Sequence, residues 1–127
     1  MTIWLAVAAG GAIGSMFRYG IGQLTINLLG APTIVSTLAV NVSGSFLLGL
    51  FYTLCNDRIV PSIEIRVLIG VGLIGGYTTF STFSFETIRL LESGESIKAL
   101  ANISGNLLLG ISAAYIGIYI GKVFNFS

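Results

Sequence analysis

Histidine is absent from this 127-residue chain, and cysteine occurs once, at Cys55. An intramolecular disulfide is therefore excluded, and a metal site built from Cys and His side chains has no ligands. Charged residues are also scarce, at 9% of the chain, whereas about a quarter of a typical soluble domain is charged. Because so few side chains are well solvated by water, the composition excludes an ordinary soluble globular protein.

The few charges nearly balance, with a formal net charge of +1. This balance gives no argument for a nucleic acid or for an acidic partner. The first residues, MTIWLAVAAGGAIG, lack the positively charged region with which a secretory signal peptide begins. We interpret this stretch as the start of a first membrane span.

Apolar residues dominate what is present, at 54% of the chain, with a mean hydropathy of +0.95. A helix needs roughly 20 apolar residues to cross a bilayer, so four spans and short turns use the whole chain. The alternating strands of a membrane barrel are absent. The sequence predicts an all-α membrane protein, a single domain over 1–127, with both termini on one side. The predicted spans are about 3–28, 33–54, 63–90 and 97–123.

Small residues recur at a spacing of four, as in Gly10 with Gly14 and Ser45 with Gly49. Such pairs allow membrane helices to approach closely. For these residues we favour tight helix packing over a direct functional role.

The stretch GGYTTFSTFSFE, residues 75–86, places two glycines and a series of hydroxyls inside the third span. Glycine weakens a helix, and the sequence predicts a break near 75–79. Non-helical backbone at membrane depth lies inside protein or faces water, and carbonyls freed there can coordinate a hard cation such as Na+. A simple kink is the alternative.

Spans 2 and 4 each carry a polar stripe. Thr37, Asn41 and Ser45 are spaced four apart on one face of span 2, as are Asn102 and Asn106 on span 4. The two segments, NVSGSFLLG and NISGNLLLG, also resemble each other. Polar groups inside a membrane often mark an ion pathway, although they also join helices by hydrogen bonds.

The chemistry of these residues favours a small anion over a cation. Amide and hydroxyl groups donate hydrogen bonds, and a ring of carboxylates, as in cation pores, is not available. Phe80 and Phe83 share a helix face, and the positive edge of an aromatic ring can face an anion. Ordinary packing of the two rings is the alternative.

Charged side chains near membrane depth allow two interpretations each. Arg18 either attracts anions into a vestibule or extends its charged end to the interface. Glu86 and Arg89 are three apart and can pair near the end of span 3, while a membrane-embedded acid can also relay protons.

Three stretches give the chain a clear family resemblance: GGAIGSMFRY at 10–19, NVSGSFLLG at 41–49 and GGYTTFSTFSFE at 75–86. Together with the length and the four-span layout, they resemble the Fluc, or CrcB, fluoride channels. The resemblance implies an antiparallel, dual-topology homodimer with two pores in the bacterial cytoplasmic (inner) membrane. It also implies passive F− export, which protects a cell from fluoride that enters as neutral HF.

The same resemblance implies roles for individual residues. Gly75 and Thr78 match positions whose backbone carbonyls hold a structural Na+ on the dimer two-fold axis. Arg18 matches a vestibule arginine, and Glu86 matches the acid that closes the third motif. The residues implied for the fluoride pathway are Phe80, Phe83, Asn41, Thr37, Ser81, Thr82, Asn102 and Asn106. In span 4 the chain departs from the family, which often has tyrosine and serine where the two asparagines stand.

Two other kinds of membrane protein share part of this pattern. Small multidrug-resistance transporters also have four spans, but their proton coupling requires a carboxylate in span 1, where this chain has neither Asp nor Glu. A non-transporting membrane scaffold is the other alternative, although it does not need polar stripes on two helices. None of the three alternatives is an enzyme.

The distribution of Lys and Arg favours insertion in both orientations, independently of the family. Orientation follows these residues in short loops and near span ends. Arg58, Arg66 and Lys122 lie on the side of the termini, and Arg89 and Lys98 lie opposite, with Arg18 as a third if it extends that way. Three positive residues on one side and two or three on the other give almost no preference for one orientation in the membrane.

Overall fold

The structure is a computed structural model that describes residues 2–57 and 61–125. Within these ranges the chain is helical and contains no strand, which confirms the predicted all-α class. We number the helices α1 to α5 in chain order: Thr2–Leu29, Thr33–Asp57, residues 63–77, Phe80–Glu92 and residues 96–125. Helices α3 and α5 each contain a wider π-helical stretch, at Val67–Ile74 and Gly105–Leu109 respectively.

Two glycines with positive φ end helices at the turns opposite the termini. Gly30 (φ +59°) follows α1, and Gly94 (φ +78°) follows α4. At the second turn the N–H of Glu95 donates to the carbonyl of Leu90 at 2.8 Å, and the N–H of Gly94 donates to Leu91 at 3.0 Å. This pair of bonds is the Schellman helix ending, in which glycine adopts the left-handed conformation.

Within the described residues, three helical segments are long and apolar enough to cross a membrane: Thr33–Asn56, Ile63–Glu92 and Ser96–Phe124. They coincide with predicted spans 2, 3 and 4. The predicted first span is one continuous helix of 28 residues, but Arg18, Gln23 and Asn27 lower its hydropathy. Its crossing of the membrane therefore stays a prediction.

Close glycine contacts hold α1 against α3. An added Cβ at Gly72 would lie 2.8 Å from the carbonyl oxygen of Val7, and one at Gly76 would lie 2.8 Å from that of Gly11. On α1, added carbons at Gly10 and Gly14 would overlap the α3 backbone. Since contacts advance along both helices together, α1 and α3 run parallel. The packing interpretation of Gly10 and Gly14 is confirmed.

A second parallel pair, α2 with α5, packs in the same way. An added Cβ would lie 3.8 Å from Ser45 Oγ at Gly110, 2.9 Å from Leu50 N at Gly117 and 2.8 Å from Thr53 Cβ at Gly121, so the contacts again advance along both helices together. Small residues in membrane helices permit such backbone approach, and van der Waals contact then supplies the association energy that lipid exclusion does not. The α2–α5 pair brings the two predicted polar stripes side by side.

We expect Gly14→Ala to destabilise the fold by about 1–3 kcal/mol, the usual cost of forcing extra atoms into a packed interior. The added carbon would meet the backbone at Leu73 and Tyr77, which cannot turn aside as a flexible side chain can. Gly20→Ala is the matched control, because nothing lies within 4 Å of a Cβ at Gly20. Thermal unfolding in detergent measures both variants, and equal melting temperatures would contradict the packing account.

Candidate functional site

The third span is broken at two threonines. Helix α3 continues through Tyr77, and Thr78 (φ −82°, ψ 159°) and Thr79 (φ −151°, ψ 112°) are extended before α4 begins at Phe80. The predicted break is therefore present but shorter than 75–79, because Gly75–Tyr77 keeps helical geometry. Branching at Cβ favours the extended conformation for threonine. The hydroxyl of Thr79 also caps α4, accepting from the N–H of Thr82 at 3.2 Å.

The side chain of Asn41, on α2, holds the broken segment. Its Oδ1 accepts from the backbone N–H of Thr79 at 2.8 Å, and its Nδ2 donates to the carbonyl of Thr79 at 3.1 Å. The amide thus pairs with one residue's N–H and C=O, as a neighbouring strand would. A buried backbone group without a partner costs free energy, so Asn41 stabilises the extended conformation inside the protein.

The break releases carbonyls from their helical partners, those of Gly75 and Thr78 among them. A continuous helix would direct the N–H of Thr79 to the carbonyl of Gly75 and the N–H of Thr82 to the carbonyl of Thr78. Here the first N–H donates to Asn41 and the second to the hydroxyl of Thr79. Gly75 is exposed on the subunit, and the hydroxyl of Thr78 lies 3.5 Å from the carbonyl oxygen of Gly75.

A chain of amides continues from Asn41 across α5 to α4. Asn41 Nδ2 donates to Asn106 Oδ1 at 2.8 Å. Asn106 Nδ2 lies 3.0 Å from both the backbone carbonyl and the Oδ1 of Asn102. Asn102 Nδ2 then donates to the hydroxyl of Thr87 at 3.0 Å, and Thr87 donates to the carbonyl of Phe83 at 2.8 Å. The polar stripes therefore meet in one hydrogen-bonded network.

The similar segments 41–49 of α2 and 102–110 of α5 pack side by side with an offset of about one helical turn. Asn41 bonds to Asn106, whereas its counterpart in the repeat is Asn102. Asn106 lies in the π-helical stretch of α5, and such stretches are frequent at functional sites.

The first cavity, of about 240 Å³, lies beside the break. The Phe80 and Phe83 rings border it, with centroids 5.4 Å apart and planes inclined at 59°. Phe83 is 8% exposed, but Phe80 is 75% exposed on the subunit. The remaining lining residues are Asn41, Gly44, Ser45, Leu48, Thr78, Thr79, Asn106 and Leu107. The lining contains no carboxylate.

A second cavity, of about 290 Å³, lies on the other side of Thr79, which lines both. Arg18, Thr37, Thr82 and Glu86 are among its lining residues. Since Thr33, the first residue of α2, also lines it, this cavity lies toward the end of the molecule opposite the termini. The predicted vestibule residues Arg18 and Glu86 are therefore brought together, and Arg18 belongs to that end.

Glu86 is buried, with 8% of its surface exposed. Its Oε1 accepts a hydrogen bond from the Thr37 hydroxyl at 3.0 Å. Its Oε2 is the one buried side-chain oxygen or nitrogen in the described part of the chain without a protein partner. The pair with Arg89, one of the two interpretations that the sequence left open, does not form, because Arg89 bonds to Glu92 at 3.2 Å on the exposed side of α4.

The predicted pathway residues divide into three groups. Asn41, Phe80, Phe83 and Asn106 border the first cavity, and Thr37 and Thr82 border the second. Ser81 is exposed beside the Thr79 hydroxyl, at 3.3 Å, and Asn102 is buried behind Asn106. Neither of the last two lines either cavity.

Two residues at the centre of this arrangement were missed by sequence reasoning. Thr79 joins the cavities, donates its backbone N–H to Asn41 Oδ1 and accepts from Asn41 Nδ2 at its carbonyl, and Thr87 ends the amide chain. Thr79 stands among the hydroxyls of the third motif, which was a usable signal. Thr87 lies beyond that motif, and its partner Asn102 is 15 residues away, so nothing local marks it.

Comparison with known proteins places these residues in a family. The family described as "CrcB-like protein, Camphor Resistance (CrcB)" matches residues 5–118, a range that contains the break, the amide chain and both cavities. This chain belongs to the CrcB-like family.

Several curated CrcB-like relatives are similar to the chain over most of its length. One from Shewanella amazonensis is 50% identical over 114 residues, which is 89% of this chain and 90% of the relative. One from Thermus thermophilus is 47% identical over 121 residues, or 95% and 96% of the two chains. One from Hydrogenovibrio crunogenus is 42% identical over 120 residues, or 94% and 91%. All three are named fluoride-specific ion channel FluC.

Proposed function

We propose that this CrcB-like protein is a fluoride-selective channel that lets F− leave the cell passively across the bacterial cytoplasmic membrane. The observation that carries the proposal is the Phe80–Phe83 pair at a cavity whose polar lining is amide, hydroxyl and backbone, without a carboxylate. Fluoride is proposed as the ion because the relatives are named fluoride-specific ion channels. They are ion channels by name and not enzymes, and we assign no catalytic role to this chain.

The lining chemistry suits a small anion. The positive ring edges of two phenylalanines can face an anion without a full positive charge. On the other side of Thr79, the hydroxyl of Thr82 accepts a hydrogen bond from Thr79 at 2.9 Å, which leaves its own hydrogen for a donor role. The Arg18 charge in the second cavity would raise the local anion concentration there.

The assembly we propose is an antiparallel homodimer of four-span subunits, in which α1 is the first span. The exposed Phe80 ring, next to the first cavity, supports a second copy that covers this face. The Lys and Arg distribution supports both insertion directions. Arg18, Arg89 and Lys98 lie toward one end, and Arg66 and Lys122 lie toward the other. Arg58 is counted with the second group, although it lies outside the described residues.

A structural Na+ on the two-fold axis of this dimer fits the carbonyls that the break releases. Carbonyl oxygen is a suitable ligand for a hard cation. In our proposal the Gly75 and Thr78 carbonyls of both subunits hold the ion. Its positive charge would lower the cost of holding anions nearby, because Coulomb interactions are large where the dielectric constant is low.

Exchanging Na+ for other cations tests this site. After exhaustive exchange into Li+ or K+ media, we expect slower fluoride flux or a less stable dimer. Li+ is smaller than Na+ and K+ is larger, so neither should fit the proposed site as Na+ does. Flux from liposomes and the dimer fraction on size exclusion in detergent measure the two effects. Equal flux and equal dimer fractions in Na+, Li+ and K+ would rule out a structural Na+.

The proposed function is tested by flux from liposomes that contain the purified protein. We expect passive F− efflux and at least about 100-fold less Cl− efflux, which corresponds to a barrier difference of about 2.7 kcal/mol. Proton-coupled movement of an organic cation would instead support a small multidrug-resistance transporter, although the described residues of α1 include no carboxylate. No flux of either kind would support a scaffold.

A further inference from the structure

We propose that Thr87 and Asn102 are positioning residues, which hold the amides of Asn106 and Asn41 in one orientation and thereby hold the broken segment of span 3. The inference rests on the function proposed above. Thr87 is 7% exposed and Asn102 is 4% exposed. Because neither lines either cavity, they act on the pathway only through their hydrogen-bonded neighbours.

The direction of the amide chain is determined at one end by Thr79. A backbone N–H can only donate, so Asn41 must turn its Oδ1 toward the N–H of Thr79, at 2.8 Å. Its Nδ2 then faces the Thr79 carbonyl at 3.1 Å and Asn106 Oδ1 at 2.8 Å. Both N–H groups of Asn41 are used.

The other end is determined by Thr87. A carbonyl can only accept, so the hydroxyl hydrogen of Thr87 goes to the carbonyl of Phe83 at 2.8 Å. The hydroxyl oxygen is then an acceptor for Asn102 Nδ2 at 3.0 Å. Asn102 therefore turns its Oδ1 toward Asn106, whose Nδ2 donates to it at 3.0 Å.

The chain therefore has one favourable direction between its two ends. Turning any single amide by half a rotation would bring two donors or two acceptors face to face, which is costly in a buried site. Asn41 cannot change its bonds to Thr79 without disturbing Asn106, and the same holds through Asn102 to Thr87. The orientation of a cavity-lining amide is thus set partly by a hydroxyl on α4 that the ion never meets.

The test compares Thr87→Val, which removes the hydroxyl at nearly constant volume, with Thr87→Ser, which keeps it. We expect Thr87→Val to lower F− flux roughly tenfold, because a buried hydrogen-bond acceptor is lost. We expect Thr87→Ser to keep wild-type flux. Thr25→Val is the matched control. Thr25 is 8% exposed and also donates to a carbonyl one turn back, at Ile21, but it lies on α1 outside the amide chain.

A double-mutant cycle separates positioning from general stability. In an Asn41→Ser background the chain is already cut at its cavity end, so adding Thr87→Val should change flux less than about twofold, since coupled residues are non-additive. If Thr87→Val does not fold, Asn102→Leu provides the same cycle with Asn41→Ser. Equal fold-losses in both backgrounds, or wild-type flux in Thr87→Val, would overturn the inference. Absence of F− flux from the unmodified protein would instead overturn the proposed function.

Discussion

Phe80→Ile and Phe83→Ile are each expected to reduce fluoride flux by about 100-fold or more. Isoleucine keeps much of the apolar bulk but has no ring edge to face the anion. If each ring edge stabilises F− by about 3 kcal/mol at the barrier, its loss corresponds to a factor of this size. The two rings lie 5.4 Å apart beside the first cavity, so both effects should appear in the same flux measurement.

Phe85→Ile is the control for these substitutions. Phe85 is on the same helix and is 66% exposed, but it does not line the first cavity. The control should keep wild-type flux, and all three variants should elute as the unmodified protein does. Wild-type flux in both the Phe80 and Phe83 variants would refute a role for the ring edges and support ordinary packing.

Adding lysines at the end opposite the termini is expected to abolish most activity by forcing one orientation. The structure indicates where to add them: Glu92→Lys, Ser93→Lys and Ser96→Lys alter exposed positions in or beside the 92–96 loop. Gly94 is kept because its φ is +78°. Three added positive charges exceed the present near-balance, and lysine near span ends is retained on the cytoplasmic side. A population with one orientation cannot form the antiparallel dimer that we propose.

Co-expression provides the decisive half of this experiment. A second variant with Thr2→Lys and Glu64→Lys biases the opposite end, and activity should return when both variants are produced together. Glutamine at the three loop positions is the uncharged control and should keep wild-type activity. Orientation is measured by labelling single cysteines from each side in a variant that lacks Cys55. Full activity of the lysine variant alone, with one orientation proven, would mean a parallel assembly.

The span limits follow from local sequence. The predicted spans 33–54 and 97–123 differ by only a few residues from the helical segments Thr33–Asn56 and Ser96–Phe124. Hydrophobic length and turn residues are short-range properties, so a single sequence contains them. The break in the third span was predictable for the same reason, since glycines and β-branched threonines are adjacent there. Its extent was not, because Gly75–Tyr77 stays helical where Gly76 packs against Gly11 of α1, a contact between residues far apart in the sequence.

The partners of the polar side chains could not be predicted in the same way. The sequence allowed Glu86 to pair with Arg89, three residues along its helix, but Glu86 accepts from Thr37, which is 49 residues away. Inside the bundle a buried carboxylate oxygen needs a donor, whereas Arg89 reaches solvent and Glu92. Glu86 and Arg89 are three residues apart, as pairing on a helix requires, but Glu86 lies on a buried face of α4 and Arg89 on an exposed one.

By itself, the sequence determined the all-α class, the limits of the three helical segments able to cross a membrane and the place of the break, because each depends on neighbours within a few helical turns. Only the tertiary structure decided that Asn41 bonds to Thr79 and to Asn106, which are 38 and 65 residues away. Close glycine contacts decide which helices are adjacent and how far they are shifted along each other. In the α2–α5 pair Asn41 lies beside Asn106, one helical turn beyond Asn102, with which it aligns in sequence. The sequence similarity of spans 2 and 4 therefore could not reveal which asparagines meet.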